Sequence, residues 1–204
     1  MPTTLLQSSK AGEVKASEGS PCVSLKAGPA RQRVLLAVTP LGPSLSPIQG
    51  YHSSVIVGRT EFSFSTLGVM AAVGPASHRG MESETTVIDC GRHVVDLAAF
   101  KAALYPLFAA GSYDLLRKNC NSFVDCALCF LTGRRLDQQY TKAESIARLL
   151  DEHFSVLKVF SVGWYAPNAK ADSFDVDSVA DGLLSLRLQL RRPRADADMD
   201  LVSV

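Results

Sequence analysis

The sequence predicts an α+β fold: a small antiparallel sheet with helices, the cysteine-bearing helix packed against the strands. Three observations predict it. The first half carries short apolar runs separated by Gly and Pro clusters. The second half carries apolar residues at helical spacing. And 47% of the 204 residues are of the AVILMFWYC set against 20% charged, which supports a globular core and excludes wholesale disorder.

Taken in order, RVLLAVT at Arg33–Thr39 reads as a short buried strand. Pro40, Gly42, Pro43 and Pro47 then predict an irregular loop. Tyr51–Val57, YHSSVIV, is the next strand, Gly58–Thr60 turns it, and Glu61–Ser65 runs back to complete a hairpin. Residues 66–84 read as loop, with Gly68, Gly74, Pro75 and Gly80, and Thr85–Cys90 as a further strand. Asp96 opens a helix as its cap, with Leu97, Phe100, Leu104 and Leu107 at helical spacing, Pro106 ending it and Gly111 closing the segment.

Charge divides the chain into parts. Residues 1–33 hold five basic and two acidic side chains and no apolar periodicity, so 1–32 reads as a flexible basic arm. Residues 33–137 form the folded domain; over 34–137 the charges are eight of each sign. Residues 138–167 read as a helical extension packing on it, with Thr141 and Glu144 making a capping box for a helix through Ile146, Leu149, Leu150 and His153. Residues 168–204 set Arg187, Arg191, Arg192 and Arg194 before Asp196, Asp198 and Asp200, a block pattern that predicts a disordered, solvated tail. No internal repeat is present.

The net charge of +1 argues against a protein devoted to neutralising phosphates, so nucleic acid is not an expected partner. No run approaches the roughly 20 apolar residues of a membrane span, and MPTTLLQSSK lacks the apolar stretch of a secretory signal. Five cysteines, an odd number, then read as thiols in a reducing compartment. The expected location is cytoplasmic, with the nucleus also open to it.

The most informative stretch is Tyr113–Leu136, YDLLRKNCNSFVDCALCFLTGRRL. Phe123, Ala127 and Leu131, with Val124 and Leu128 beside them, define an amphipathic helix ended by Gly133. Cys120 stands at its N-terminus, where free amides and the helix dipole favour thiolate over thiol, and Arg117 and Lys118 add positive charge. Spacing alone is also satisfied by a buried structural cysteine. Cys126 and Cys129 form a C-x-x-C pair in mid-helix with no second ligand pair, so they read as packing residues, and no metal or cofactor is expected. Cys90 reads as a strand end and Cys22 as a tail thiol. A nucleophilic thiol needs a base, and there are four histidines: His52, His78, His93 and His153. His52 shares a strand face with Ser54 and Ile56, opposite Tyr51, Ser53, Val55 and Val57. It could be a rigidly held base or an edge histidine bonded to backbone, and spacing does not choose.

Four segments resemble the PPPDE family, the permuted papain-fold peptidases that include desumoylating isopeptidases. YHSSVIVG (51–58) followed by EFSFSTLGV (61–69) is similar to the family's His motif and hairpin. YDLLRKNCNSF (113–123) and CFLTGRRL (129–136) are similar to its Y-x-L-x-x-N-C-N-x-F and F-L-T-G-K-x-I-P. The match runs from about Arg33 to Asp137, and the cysteine motif is its specific part. Two departures stand out: Ser65 occupies the place of a family Gly, leaving the substrate groove open to change, and Leu136-Asp137 replaces Ile-Pro.

The resemblance implies a permuted papain-like fold and a catalytic dyad of His52 and Cys120. Asn119 and Asn121 flank the nucleophile as residues that cap the helix or orient its loop. It further implies a cysteine isopeptidase removing ubiquitin or a SUMO-like modifier from protein lysines, without a cofactor. Two alternatives keep the fold: a thioesterase removing palmitate by the same dyad, for which Leu184, Leu186, Leu188 and Leu190 could aid membrane contact, and a modifier-binding module with little activity. Some family members pair, so a homodimer is open.

Overall fold

A computed structural model describes residues 28–45, 48–143, 145, 146 and 166–192. Five strands, β1 (Ala30–Leu45), β2 (Ile48–Val57), β3 (Thr60–Ser65), β4 (Gly68–Val73) and β5 (Thr86–Val95), form one antiparallel sheet of order β4-β3-β2-β1-β5. Helices α1 (Leu97–Leu104), α2 (Cys120–Thr132) and α3 (Val176–Arg191) complete the α+β fold.

The register separates the two faces of the sheet. β1 and β2 pair Leu36 with Val55 and Val38 with Ser53, and β2 and β3 pair Val55 with Phe62. Val34, Leu36, Val38, Val55, Val57, Phe62 and Phe64 therefore share one face, and they form a buried core with Phe100, Leu104 and Phe108 and with Phe123, Val124, Ala127 and Phe130 of α2. Aromatic edges seal it: Phe62 meets Phe100 at 5.0 Å and Phe108 meets Phe123 at 5.2 Å between ring centroids. The other face carries Thr39, His52, Ser54 and Glu61.

Several elements depart from the sequence-based expectation, each for a physical reason. β1 begins at Ala30, so the last residues of the expected arm pair with β5 through Ala30 and Val95, while residues 1–27 lie outside the described ones. β1 also runs on through Pro40, with a register shift between Leu41 and Leu45 in place of the expected loop. β5 accompanies β1 only as far as Val38, so beyond it β1 has one neighbour, and a strand edge tolerates proline. β4 falls within the expected loop 66–84. It is an outer strand with Met70 and Val73 exposed, so it lacks the alternation of a half-buried strand. The turn before it needs Gly68, whose φ is +88° and whose Cβ would stand 2.9 Å from the Ala110 nitrogen.

α1 starts as expected, with the Asp96 carboxylate accepting from the Ala98 and Ala99 amides, and ends at Leu104 before Pro106. α2 also has the expected bounds, with Gly133 at φ +78°. It is not amphipathic, however. Eleven of its thirteen residues are buried, because α3 covers the side away from the sheet.

That cover is the main correction. Within the expected disordered tail, Val176–Arg191 is a helix, capped by Asp175, with Ala180, Leu183 and Arg187 buried. The Cys129 thiol donates to the Ala180 carbonyl at 3.3 Å, and Arg135, bound to Asp125 of α2, also donates to Asp177 of α3 at 2.8 Å. Period-two leucines and charge blocks concealed the helical set Val176, Val179, Ala180 and Leu183. The leucines offered for membrane contact lie on this helix, and no helix of the described residues is long and apolar enough to cross a membrane. Of the expected extension, a helical turn at 138–140 and the start of the next helix are described; Glu144, 147–165 and hence Leu149, Leu150 and His153 lie outside the described residues.

Candidate active site

The site begins with the loop that delivers Cys120. Asp114, buried, accepts from the Leu116 and Arg117 amides at 2.9 and 2.8 Å and from the Asn168 amide at 2.9 Å. A backbone bridge between Asp114 and Lys118 closes the turn. Lys118 directs its ammonium over the rings of Phe108 and Phe174, 5.6 and 4.9 Å from their centroids, where burial lowers its pKa. Its role is therefore packing beneath the loop, and Arg117 reaches Asp114 at 3.9 Å.

Asn119 is the N-cap of α2. Its side-chain oxygen accepts from the Ser122 amide at 3.0 Å, Ser122 Oγ reciprocates to the Asn119 amide, and its side-chain nitrogen donates to the Leu115 carbonyl at 2.8 Å. Cys120 is the first helical residue and is buried, 6% exposed. The helix start thus presents its positive end at the sulfur.

Asn121 ties this helix start to β2. It donates to the Tyr51 and Tyr140 carbonyls, both at 3.0 Å, and accepts from the Ser53 hydroxyl. Tyr51 and Ser53 are the two neighbours of His52. One amide side chain therefore binds the residue after Cys120 to the residues on both sides of His52, two segments some 70 positions apart in the chain. The two asparagines thus act differently on the helix start: Asn119 caps it and Asn121 ties it to β2.

His52 lies across β2 from Ser53, on the second face of the sheet. Its Nε2 is 2.9 Å from Ser77 Oγ, and its ring meets that of His78 at 4.6 Å. Ser77 donates to Glu61 Oε1 at 2.6 Å, and Glu61 Oε2 accepts from the Ala76 and Ser77 amides. His78 Nε2 is 2.9 Å from Ser54 Oγ and its Nδ1 is 2.7 Å from Thr39 Oγ1, which in turn meets Thr85. The result is a buried polar network reaching from Thr85 to His52.

Its electrostatics follow from burial and bonding. Glu61 is 1% exposed, and burial alone would raise its pKa. Hydrogen bonds from Ser77, Ser54 and the two amides overcome this and hold the carboxyl below its usual range, as an anion. Burial, reinforced by His78 and opposed by Glu61, lowers His52 to about 4, so its imidazole is neutral at pH 7. Burial likewise lowers His78. The remaining described cysteines move the other way: burial pushes Cys126 up to about 12 and raises Cys129 and Cys90. Cys126 and Cys129 are buried in α2, in agreement with their reading as packing residues, and Cys90 lies half-buried in β5. Cys22 lies outside the described residues.

Glu61 and Ser77 were not anticipated from the sequence, and His78 was named only as one of four histidines. One signal was available. In the hairpin Ile56 pairs with Glu61, so an acid in an apolar strand lies on the same face as His52. Ser77 and His78 come from the stretch after β4, whose approach no local pattern announces.

Gly74 lets this stretch pass. A Cβ there would stand 2.3 Å from Glu61 Cβ and 3.3 Å from its Cα. Gly74→Ala is expected to destabilise the fold by about 2 kcal/mol, as overpacking against a buried strand does. Thermal unfolding measures it, and an unchanged midpoint would show that the stretch can shift away.

A cysteine at the start of a central helix packed on an open antiparallel sheet, with that helix start tied to the strand that carries a histidine, is consistent with an α+β fold of the papain-like class. The family model described as the PPPDE putative peptidase domain matches residues 24–154, and the chain belongs to this family. Desumoylating isopeptidase 1 of Rattus norvegicus and of Homo sapiens are each 30% identical to it over 109 residues, 52% of this chain and 62% of the relative. The matched region thus spans less than two thirds of the length of these curated relatives.

Proposed function

We propose that the protein is a cysteine isopeptidase that hydrolyses the bond between a ubiquitin-like modifier and a protein lysine, with Cys120 as nucleophile and His52 as base. The observation that carries this reading is the Asn121 tie, which holds the start of the nucleophile helix against the two residues flanking His52. The names of the relatives favour a SUMO-type modifier over ubiquitin.

The chemistry needs only these groups. Neutral His52 takes the thiol proton as the Cys120 sulfur attacks the carbonyl carbon of the modifier's C-terminus. The first-turn amides of α2 stabilise the tetrahedral oxyanion. His52 then returns the proton to the leaving lysine amine, and the acyl-enzyme forms. Water, activated by His52, releases the modifier with a free carboxylate and restores the thiol.

The test is a panel of ubiquitin and ubiquitin-like proteins carrying a thiol-reactive electrophile at the C-terminus. A stoichiometric adduct on Cys120, located by mass spectrometry and strongest for SUMO-type probes, is the expected result. Absence of an adduct from every probe, with the protein folded, would remove the isopeptidase reading.

A further inference from the structure

The dyad leaves unexplained why an ionised carboxylate is buried beside it. Glu61 is 1% exposed on the His52 face of the sheet, and it is linked to His52 through a single hydroxyl. We infer that Ser77, backed by Glu61, is the positioning residue that orients His52 and selects its tautomer. The inference rests on the dyad reading and extends it to a third and fourth residue.

The Glu61 carboxylate only accepts. Ser77 has a single hydroxyl proton, and at 2.6 Å it donates it to Glu61 Oε1. Toward His52, 2.9 Å away, the same oxygen can then only accept. The His52 proton therefore resides on Nε2, which leaves Nδ1 as the basic nitrogen for the Cys120 thiol. When His52 gains a second proton during thiol attack, the imidazolium faces Ser77 Oγ and, behind it, the Glu61 anion. The relay thus fixes the ring in the neutral state and stabilises its charged state.

The surrounding groups support this polarity. Glu61 is itself held by the Ala76 and Ser77 amides, so both its oxygens are engaged. His78, the ring beside His52, is engaged at both nitrogens by Ser54 and Thr39, and Ser54 bonds Glu61 in turn. With Ser54 donating to Glu61, His78 donates from Nε2, and burial, which lowers its pKa, favours the neutral ring with Nδ1 accepting from Thr39. Its neighbour is then no second cation competing with the His52 imidazolium. The fold supplies this third group from the stretch between β4 and β5.

The experiment uses the full chain with a fluorogenic C-terminal amide of a SUMO-type modifier, together with the ring nitrogen shifts of His52 from NMR. In the unaltered protein the shifts should report Nε2–H. Ser77→Ala is expected to lower kcat roughly 10- to 100-fold with KM within about twofold, and to mix the tautomers of His52. Ser77→Thr keeps the hydroxyl and should restore both. Because a purely structural serine would not alter the tautomer, the shifts separate orientation from folding. Nδ1–H in the unaltered protein overturns the inference, as does Ser77→Ala with kcat within twofold. Hydrolysis lost in Cys120→Ala but intact in Ser77→Ala overturns the positioning role and spares the dyad. Hydrolysis that persists in Cys120→Ala overturns both.

Discussion

Cys120→Ala is expected to reduce turnover of a modifier–lysine conjugate by about 10³-fold or more while the protein stays folded. No other described thiol can substitute. Cys126 and Cys129 are buried within α2, and burial holds their thiols and that of Cys90 in the protonated form. The stability cost should be small, under about 1 kcal/mol, since alanine is a good helix former and the substitution removes a single atom. The fold around it is held by other groups: Asn119 caps the helix and Asn121 ties it to β2. His52→Ala should lose on the order of 10²- to 10⁴-fold, the share of a positioned base. Turnover and thermal midpoint measured on the same preparation decide the matter, and a Cys120→Ala protein that still cleaves the conjugate rules the nucleophile out.

Acid should destabilise the fold well before ordinary carboxylates titrate. His52 has a folded pKa of about 4 against 6.5 when exposed, so between these values the unfolded chain binds the extra proton. The contribution of the neutral ring is fully present above pH 6.5, declines as pH falls below it, and is exhausted below pH 4. Between pH 7.5 and pH 5 this one group should remove about 2 kcal/mol of unfolding free energy. His78, also lowered, acts in the same sense. Glu61 adds to the loss further down, since its depressed pKa gives stability present above about 4.5 and lost as pH falls through the folded value. Urea unfolding at the two pH values measures the sum. His52→Gln should flatten part of the dependence, and a profile already flat in the unaltered protein contradicts the burial argument.

How much of this was legible in the sequence depended on the range of the interaction involved. The α2 start, its Gly133 end and the Asp96 cap depend on residues within a few positions of one another, and they stand where the spacing put them. β4 and α3 did not announce themselves. β4 is exposed on both sides from Met70 to Val73, so it carries no alternation, and α3 has helical contacts hidden among leucines that repeat every second residue. Asn121 was recognised as a neighbour of the nucleophile, yet nothing local says that its amide reaches Tyr51 and Ser53.

By itself the sequence determined the α+β class and the place of Cys120 at a helix start, and its motifs nominated His52 as the partner of Cys120, because a helix cap, a strand period and a motif are all written over a dozen residues or fewer. Only the tertiary structure decided what surrounds them. It brought Glu61 and Ser77 to the face of His52, left Cys126 and Cys129 inert by burying them, and placed α3 over the far side of α2. Those outcomes turn on desolvation and on contacts between distant segments, and neither quantity exists until the chain has folded.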